Sequence, residues 1–399
     1  MKNIITNCIK FISFFIPKSR YDIFCIPESA CKLNCVDIIN YTADNLLSFI
    51  NYLLKNYHGQ RLTIYLIYYE KERLENYVNY VDSFKNSNIE VVFVHRNHTI
   101  RYYWLLFKAG TILSSDVFFR FLFKIKKQIY FSLNYFTPFK LDRLIVDSRT
   151  TVDYVAATSL LASQITSTSS KVPIDNFRIL GFPRNDYIIN PRFSKKELLE
   201  MIEPRTNVNK IITYTPTHKD YEKGISASRN IFGYEGTYDD LVDILKLHHA
   251  ILVIKLHPAQ MKACFTELSL PHIYIYEPNF RYTLYDILPH TDVLITDYTS
   301  TYFDYLLAQK PVIFNFFDKN IYEQTRGFSF DPIESVCAGA IVETKDEFLE
   351  VVQQILSETI DDTKYSEHRS FVNNLMNKYS DCSSERVLNF LIKEILDKK

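Results

Sequence analysis

The chain has 399 residues, and its 46 Lys+Arg are matched by 46 Asp+Glu, giving a formal net charge of zero at pH 7. Without a basic excess to neutralise many backbone phosphates, nucleic acid is a poor partner. A composition of 47% apolar and 23% charged residues argues against a disordered chain, and a length near 400 exceeds what one core usually organises, so two domains are expected.

At the start of the chain, the apolar stretch from Ile9 to Ile16 ends at Pro17 and is too short for the roughly 20 residues that cross a bilayer. With Lys2, Lys10, Lys18 and Arg20 around it, it reads as a packed N-terminal helix or one lying on a membrane surface. The seven cysteines are an odd number scattered over a chain with no cleavable secretory signal, so reduced, cytosolic thiols are expected. Cys31 and Cys35 have no second Cys or His pair nearby at ligand spacing, and no metal site is expected there.

From Tyr21 onward, short apolar runs alternate with longer stretches of helical period, the pattern of parallel sheets covered by helices. First-half strands are expected at 22–26, 62–67, 89–95, 111–114, 128–133, 144–146 and 177–180, with helices at 44–55 and 71–86 between them. Gly181-Phe-Pro-Arg-Asn-Asp186, followed by Pro191, is a turn-rich break where a domain boundary fits. The second half repeats the plan, with strands at 211–214, 251–256, 273–276, 293–296 and 312–316 and helices at 238–248 and 302–308. Three helical stretches at 345–357, 367–378 and 384–396 close the chain with no strand between them, and one is expected to pack back across the first domain. The fold class expected is α/β: two Rossmann-like domains, 1–190 and 191–380, facing each other across a cleft (the GT-B arrangement), with 381–399 as a returning C-terminal helix.

Several chemistries lose their markers. The eight glycines form neither G-x-G-x-x-G nor G-x-x-x-x-G-K-[ST], and there is no Asp-x-Asp, G-x-S-x-G or H-E-x-x-H. A mechanism without metal or cofactor is expected.

Four segments have the character of a nucleotide-diphosphate site. Asp292-Val-Leu-Ile-Thr-Asp-Tyr-Thr-Ser-Thr-Tyr-Phe-Asp304 reads as a buried strand that turns and opens a helix, where unpaired N–H groups and the macrodipole attract an anion. Thr299 and Ser300 add hydroxyls there; Thr301-x-x-Asp304 also fits a capping box that needs no ligand. Ile251-Leu-Val-Ile-Lys-Leu-His257-Pro258 brings Lys255 and His257 to a strand end, the edge at which open α/β sheets bind ligands. Tyr214-Thr-Pro-Thr-His-Lys-Asp220 offers Pro216, Thr217 and His218 at another. In the hinge segment, Arg184 either reaches a phosphate across the cleft or pairs with Asp186.

Together these segments resemble the CDP-glycerol glycerophosphotransferase family, which builds teichoic acids and related capsules. The likeness spans most of the chain and is densest in Leu294-Ile-Thr-Asp-Tyr-Thr-Ser-Thr-Tyr-Phe-Asp-Tyr-Leu306, Lys310-Pro-Val-Ile-Phe314 and Arg326-Gly-Phe-Ser-Phe-Asp331. The tail Ser383-Ser-Glu-Arg386 and the start Phe15-Ile-Pro-Lys-Ser-Arg20 resemble the family's ends. The resemblance implies a donor, CDP-glycerol or CDP-ribitol, bound by the second domain. It implies an acceptor hydroxyl, on a lipid-linked or polymeric glycan held by the first, that attacks the phosphorus bearing the polyol and expels CMP. It further implies a cytoplasmic enzyme peripheral to the inner membrane face. His257, Arg184, Pro216, Thr217, Thr299 and Ser300 match positions the family uses around the nucleotide and pyrophosphate, and His218, Lys255 and Asp304 complete the expected donor set.

One departure bears on catalysis. Where the family carries His-Gly-Thr-Pro-Leu-Lys, with a histidine thought to act as base, this chain reads Tyr135-Phe136-Thr137-Pro138-Phe139-Lys140. A phenol of pKa about 10 is a poor base at neutral pH. His95 and His98, in Val94-His-Arg-Asn-His98 at a strand end, and Asp116 are the expected substitutes. A GT-B sugar transferase, or a nucleotide-binding homologue without activity in a polymer-assembly complex, is the alternative.

Overall fold

Ala250–Ile254, Val293–Thr296 and the Val312–Asn315 run are buried at every position. Strands apolar on both faces belong in the middle of a parallel sheet with helices on each side, and that is where they lie. The computed structural model describes residues 15–26, 45–68, 86–95, 100–115, 127–134, 139, 141, 152–203, 207–217, 231–234, 236–256, 271–277 and 281–397.

These residues form two sheets whose pairings are all parallel. The first contains β1 (Ser19–Ile26), β2 (Leu62–Tyr68), β3 (Ile89–His95), β4 (Ala109–Ser114), β5 (Ile129–Ser132), β6 (Tyr154–Ala157) and β7 (Phe177–Ile179), in the order β3-β2-β1-β4-β5-β6-β7. The second contains β8 (Lys210–Thr215), β9 (Ala250–Ile254), β10 (Ile273–Ile275), β11 (Val293–Thr296), β12 (Val312–Asn315) and β13 (Ala340–Val342), in the order β10-β9-β8-β11-β12-β13. In both, the chain works outward in one direction for three strands, returns to the middle and works outward in the other. The reversals, between β1 and β4 and between β8 and β11, are topological switch points, where crevices open at the carboxyl ends of strands.

The closing helices divide between the sheets. Lys345–Leu356 packs Phe348, Val352 and Leu356 on the second sheet, and Thr363–Met376 adds Val372 and Met376 to the core beneath it. Ser383–Phe390, continuing through π-helical turns over Leu391–Leu396, buries Val387, Leu388, Leu391 and Ile395 against Ile23, Leu53 and Leu66 of the first sheet's core. The helix is fastened at its start by Asp186, whose carboxylate accepts the Ser383 and Ser384 N–H groups at 2.6 and 2.9 Å. Gly181, at φ +78°, lets it approach, since a Cβ there would stand 2.2 Å from Ser383 Oγ.

Several boundaries differ from the sequence reading. Helix 302–308 is an α-helical turn, Thr301–Tyr305, followed by a 3-10 turn, Leu306–Ala308, that ends with Gln309 left-handed at φ 52°. Unexpected elements include β6, β13 and the helices Ile100–Lys108, Leu160–Ser170, Lys195–Ile202 and Lys319–Thr325. The second of these helices is rich in Ser and Thr and is started by Ser159, which accepts from the Ala162 N–H. Of the N-terminal apolar stretch, Phe15 is exposed and Ile16 is buried in the first sheet's core. Residues 9–14, Cys31 and Cys35, residues 71–85 of the expected helix 71–86 and strand 144–146 lie outside the described residues.

Candidate active site

The three strands whose carboxyl ends carry the second-half motifs, β9, β8 and β11, are consecutive neighbours in the sheet, with β8 and β11 flanking the switch point. Tyr214 of β8 stands opposite Ile254 on one side and Ile295 on the other, so the segments that follow leave the sheet side by side. Lys255, half-buried, follows β9 and donates its N–H to the Tyr214 carbonyl at 2.9 Å.

Asp297 joins two of these segments. Its buried carboxylate accepts the Thr217 N–H at 2.9 and 3.0 Å and the Thr217 hydroxyl at 2.6 Å, while the Tyr298 N–H donates to it at 2.6 Å. The Pro216–Thr217 turn is thereby fixed against the β11 turn. Burial, and then the negative charge of Asp297, holds the neighbouring Tyr214 hydroxyl protonated, well above the usual tyrosine range. Tyr298 locks the other side, stacked on Tyr322 at 4.1 Å and Phe316 at 5.2 Å, with its hydroxyl 3.0 Å from Asp318 Oδ1. The sequence offered Asp297 only as part of a motif, and its partner lies 80 residues away.

Thr299 and Ser300 come next and are half-buried. Ser300 occupies the cap position of the following helix in helical conformation (φ −67°, ψ −15°) and makes no side-chain cap bond. The Thr299 hydroxyl meets the Thr301 N–H and hydroxyl only at 3.5 and 3.4 Å, at the long limit of hydrogen bonding. Both hydroxyls stand at the switch point with little to do for the helix itself.

The Asp304 carboxylate does not form the expected local cap and is bonded by other elements. Oδ2 accepts from Arg184 Nη2 at 2.7 Å and the Tyr285 hydroxyl at 2.6 Å, and Oδ1 accepts from Asn185 Nδ2 at 3.1 Å. Arg184 is accordingly paired with Asp304, not with Asp186, and its guanidinium lies over the rings of Phe182 and Tyr285 at 5.2 and 4.9 Å. Asp186 serves the closing helix, and burial raises its carboxyl pKa against the lowering effect of the Ser384 and Ser383 bonds.

On the first sheet, His95 ends β3, the edge strand. Four strand spacings, about 19 Å, separate it from β5, which leads to the 135–140 loop. Ser115, fully buried, follows β4 at the first sheet's switch point, and Asp116 is the next residue along the chain. Phe139 of the loop is buried against Tyr302 and Phe303, with ring centroids at 5.9 and 5.2 Å. Its carbonyl accepts the Ser329 N–H and the Leu141 N–H donates to the Gly327 carbonyl, both at 3.1 Å, so this segment is fastened to the second half's Arg326-Gly-Phe-Ser run. His98, Asp116, Tyr135, Thr137, Pro138, Lys140, His218 and His257 lie outside the described residues. No group of three or more His, Cys, Asp or Glu side chains suited to a metal ion occurs among the described residues.

The sequence model of the family CDP-glycerol:poly(glycerophosphate) glycerophosphotransferase matches residues 33–393. Teichoic acid glycerol-phosphate primase of Bacillus subtilis (strain 168) is 28% identical over 240 residues, covering 60% of this chain and 57% of that protein. Teichoic acid ribitol-phosphate primase of Bacillus spizizenii is 30% identical over 220 residues, covering 53% and 52%. The chain spans little more than half the length of these curated relatives. Among solved structures, the wall teichoic acid polymerase TagF aligns with a TM-score of 0.71 at 20% identity, covering 99% of this chain and 95% of that one. A UDP-GlcNAc 2-epimerase from Neisseria meningitidis aligns at 0.54 with 12% identity, covering 93% and 100%. At these identities the likeness shows the fold, an α/β arrangement of parallel sheets and helices.

Proposed function

The chain belongs to the CDP-glycerol:poly(glycerophosphate) glycerophosphotransferase family, and on that premise we propose that it transfers a polyol phosphate, glycerol phosphate first among them, from a CDP-linked donor to a hydroxyl of a lipid-linked or polymeric glycan, releasing CMP. The observation that carries the reading is the convergence of Thr217, Lys255, Thr299 and Ser300 on three adjacent strand ends at the second sheet's switch point. This is where an open α/β sheet binds a nucleotide.

In this reading 1–190 is the acceptor-side domain, 191–380 the donor domain, and 381–399 the returning helix, arranged as a GT-B pair about a cleft. The sheet membership of β1–β7 and β8–β13 supports the division. An acceptor hydroxyl attacks the phosphorus bearing the polyol, the bond from that phosphorus to the bridging oxygen breaks, and CMP departs with the electron pair. Thr299 and Ser300 donate hydrogen bonds to the pyrophosphate, and Thr217, held by Asp297, and Lys255 complete the cradle. His257 neutralises the departing phosphate, and His218 belongs to the donor set. A loose transition state asks more for positioning and charge neutralisation than for a strong nucleophile.

Asp116 receives the acceptor's proton, supported by the place of Ser115 at the first sheet's switch point. Tyr135, Thr137, Pro138 and Lys140 form the acceptor-side loop. A cytidine nucleotide and a lipid-linked acceptor together place the reaction in the cytoplasm at the inner membrane face. Calorimetry with CDP, UDP and ADP tests the donor site: CDP binds tightest if the reading holds, and equal affinity for all three, or binding of none, contradicts it.

A further inference from the structure

The run from Arg326 to Asp331 touches both sides of the proposed reaction. The ring of Phe328 lies 5.2 Å from that of Tyr298, the residue before Thr299, and stacks on Tyr322 at 5.7 Å. The ring of Phe330 lies 5.9 Å from that of Phe303, three residues beyond Ser300. Ser329 stands between these two anchors, alongside the turn that carries the donor hydroxyls. Its N–H donates to the Phe139 carbonyl at 3.1 Å, which sets it equally against the acceptor-side segment. The Ser329 hydroxyl is buried without a hydrogen-bond partner among the described residues, although the residue as a whole is only half-buried. A buried hydroxyl left unbonded is destabilising, so one at such a junction calls for a partner from outside the chain.

We propose that Ser329 is a specificity-determining residue whose hydroxyl bonds the polyol of the CDP-linked donor. With the pyrophosphate on Thr299 and Ser300, the phosphorus under attack has to face the acceptor-side segment, and the polyol it bears enters the seam between the two. Ser329 is bonded to one border of that seam and flanked by rings packed on the other, and its hydroxyl is uncommitted. A polyol presents hydroxyls that both donate and accept, and a serine hydroxyl matches either role. The neighbouring side chains in the run and across it, Phe328, Phe330 and Phe139, are apolar, so they neither draw the phosphates here nor compete for the serine. A site that bonds a substrate hydroxyl also rejects an analogue lacking it, because its own polar group is then left unpaired.

This inference rests on the functional reading above and assigns Ser329 to the polyol, not to the nucleotide. The test compares the full chain with its Ser329→Ala variant and, as a control, with Thr158→Val, which removes another buried, unpartnered hydroxyl one residue past β6 on the first sheet. Ser329→Cys replaces Ser329→Ala should the latter not fold. Calorimetry without acceptor measures the Kd for CDP, CDP-glycerol and CDP-ribitol, and for CDP-alkyl esters of the same carbon numbers that lack the free hydroxyls. The parent is expected to prefer its better-bound CDP-polyol over the matching alkyl ester. Ser329→Ala is expected to shrink that preference by about three- to tenfold, the worth of one neutral hydrogen bond, while its Kd for CDP stays within twofold. Its thermal midpoint should not fall, because no hydrogen bond of the protein is lost, and Thr158→Val should keep the parent's preference. A parent that binds CDP but does not tell polyol from alkyl ester overturns the inference, as does a Ser329→Ala variant that keeps the parent's preference. Equal weakening of CDP and CDP-polyol makes Ser329 a nucleotide-binding or structural residue and overturns it too, and so does an equal loss of preference in Thr158→Val. A parent that binds neither CDP nor any of its esters refutes the functional reading and this inference with it.

Discussion

The strand ends of the two sheets are held in different ways. At the second sheet, Asp297 and Thr217, on neighbouring strands of the same sheet, fix each other, and Tyr298 is locked by Phe316 and Tyr322 nearby. At the first, the end of β5 and the segment after it are held by Asn45 on one side and by residues of the second half, Arg184's partner Asp304 and the Tyr302–Phe303 pair, on the other. On the proposed reading, the donor side is built from its own sheet, whereas the acceptor side is complete only when the two halves are together; such a site would bind its nucleotide with one half and perform transfer with both.

The largest expected break in that arrangement is Asp304→Ala, which strands the Arg184 charge in the interior. Removing one partner of a buried pair costs about 3–5 kcal/mol, and chemical denaturation should read that loss. An unchanged midpoint would mean the pair carries no load. Ser300→Ala comes next and acts on the donor side alone. Losing a hydrogen bond to a charged phosphate costs about 1.5–3 kcal/mol, so the Kd for CDP should rise by roughly tenfold or more with stability unchanged, because Ser300 caps nothing. Equal affinity in a folded variant would leave that hydroxyl without a role.

Smaller still is the acceptor-side proton. Asp116→Asn should lower turnover by about tenfold or more without altering CDP affinity, if a general base is at work there. Full activity in that variant would move the base elsewhere. The smallest effects belong to His95→Ala and Tyr135→Phe, which should leave kcat near the parent value. His95 stands at the far edge of its sheet, and a phenol is a poor base at neutral pH. A large loss from Tyr135→Phe with Asp116→Asn silent would make the phenol the working group.

What was legible in the sequence follows the same division. Ile251-Leu-Val-Ile and Val293-Leu-Ile are unbroken apolar runs ending in polar turns, so both the strands and the donor motifs at their ends could be read directly. Tyr154-Val-Ala-Ala could not, because four residues with two alanines leave no period to count, and its place is decided by Phe131 and Phe177 on either side. The pattern Thr301-x-x-Asp304 suggested a local cap, yet the carboxylate found an arginine, an amide and a phenol. Those partners are distant in sequence, and a local pattern carries no trace of them. The Asp186 alternative for Arg184 failed for the same reason: Asp186 is nearer along the chain, but two backbone N–H groups of the closing helix claim it. Nothing in the order of residues distinguished His95 from Asp116 until the strand order put one at an edge and the other's neighbour at the switch point.

The most direct measurement is CMP release by the purified chain given CDP-glycerol or CDP-ribitol, each with and without an acceptor lipid. The account predicts CMP formed at the expense of one of these donors, dependent on acceptor, with the polyol phosphate recovered on the acceptor. Binding of CDP without CMP release from either donor in the presence of acceptor would contradict it and leave a nucleotide-binding homologue without transferase activity.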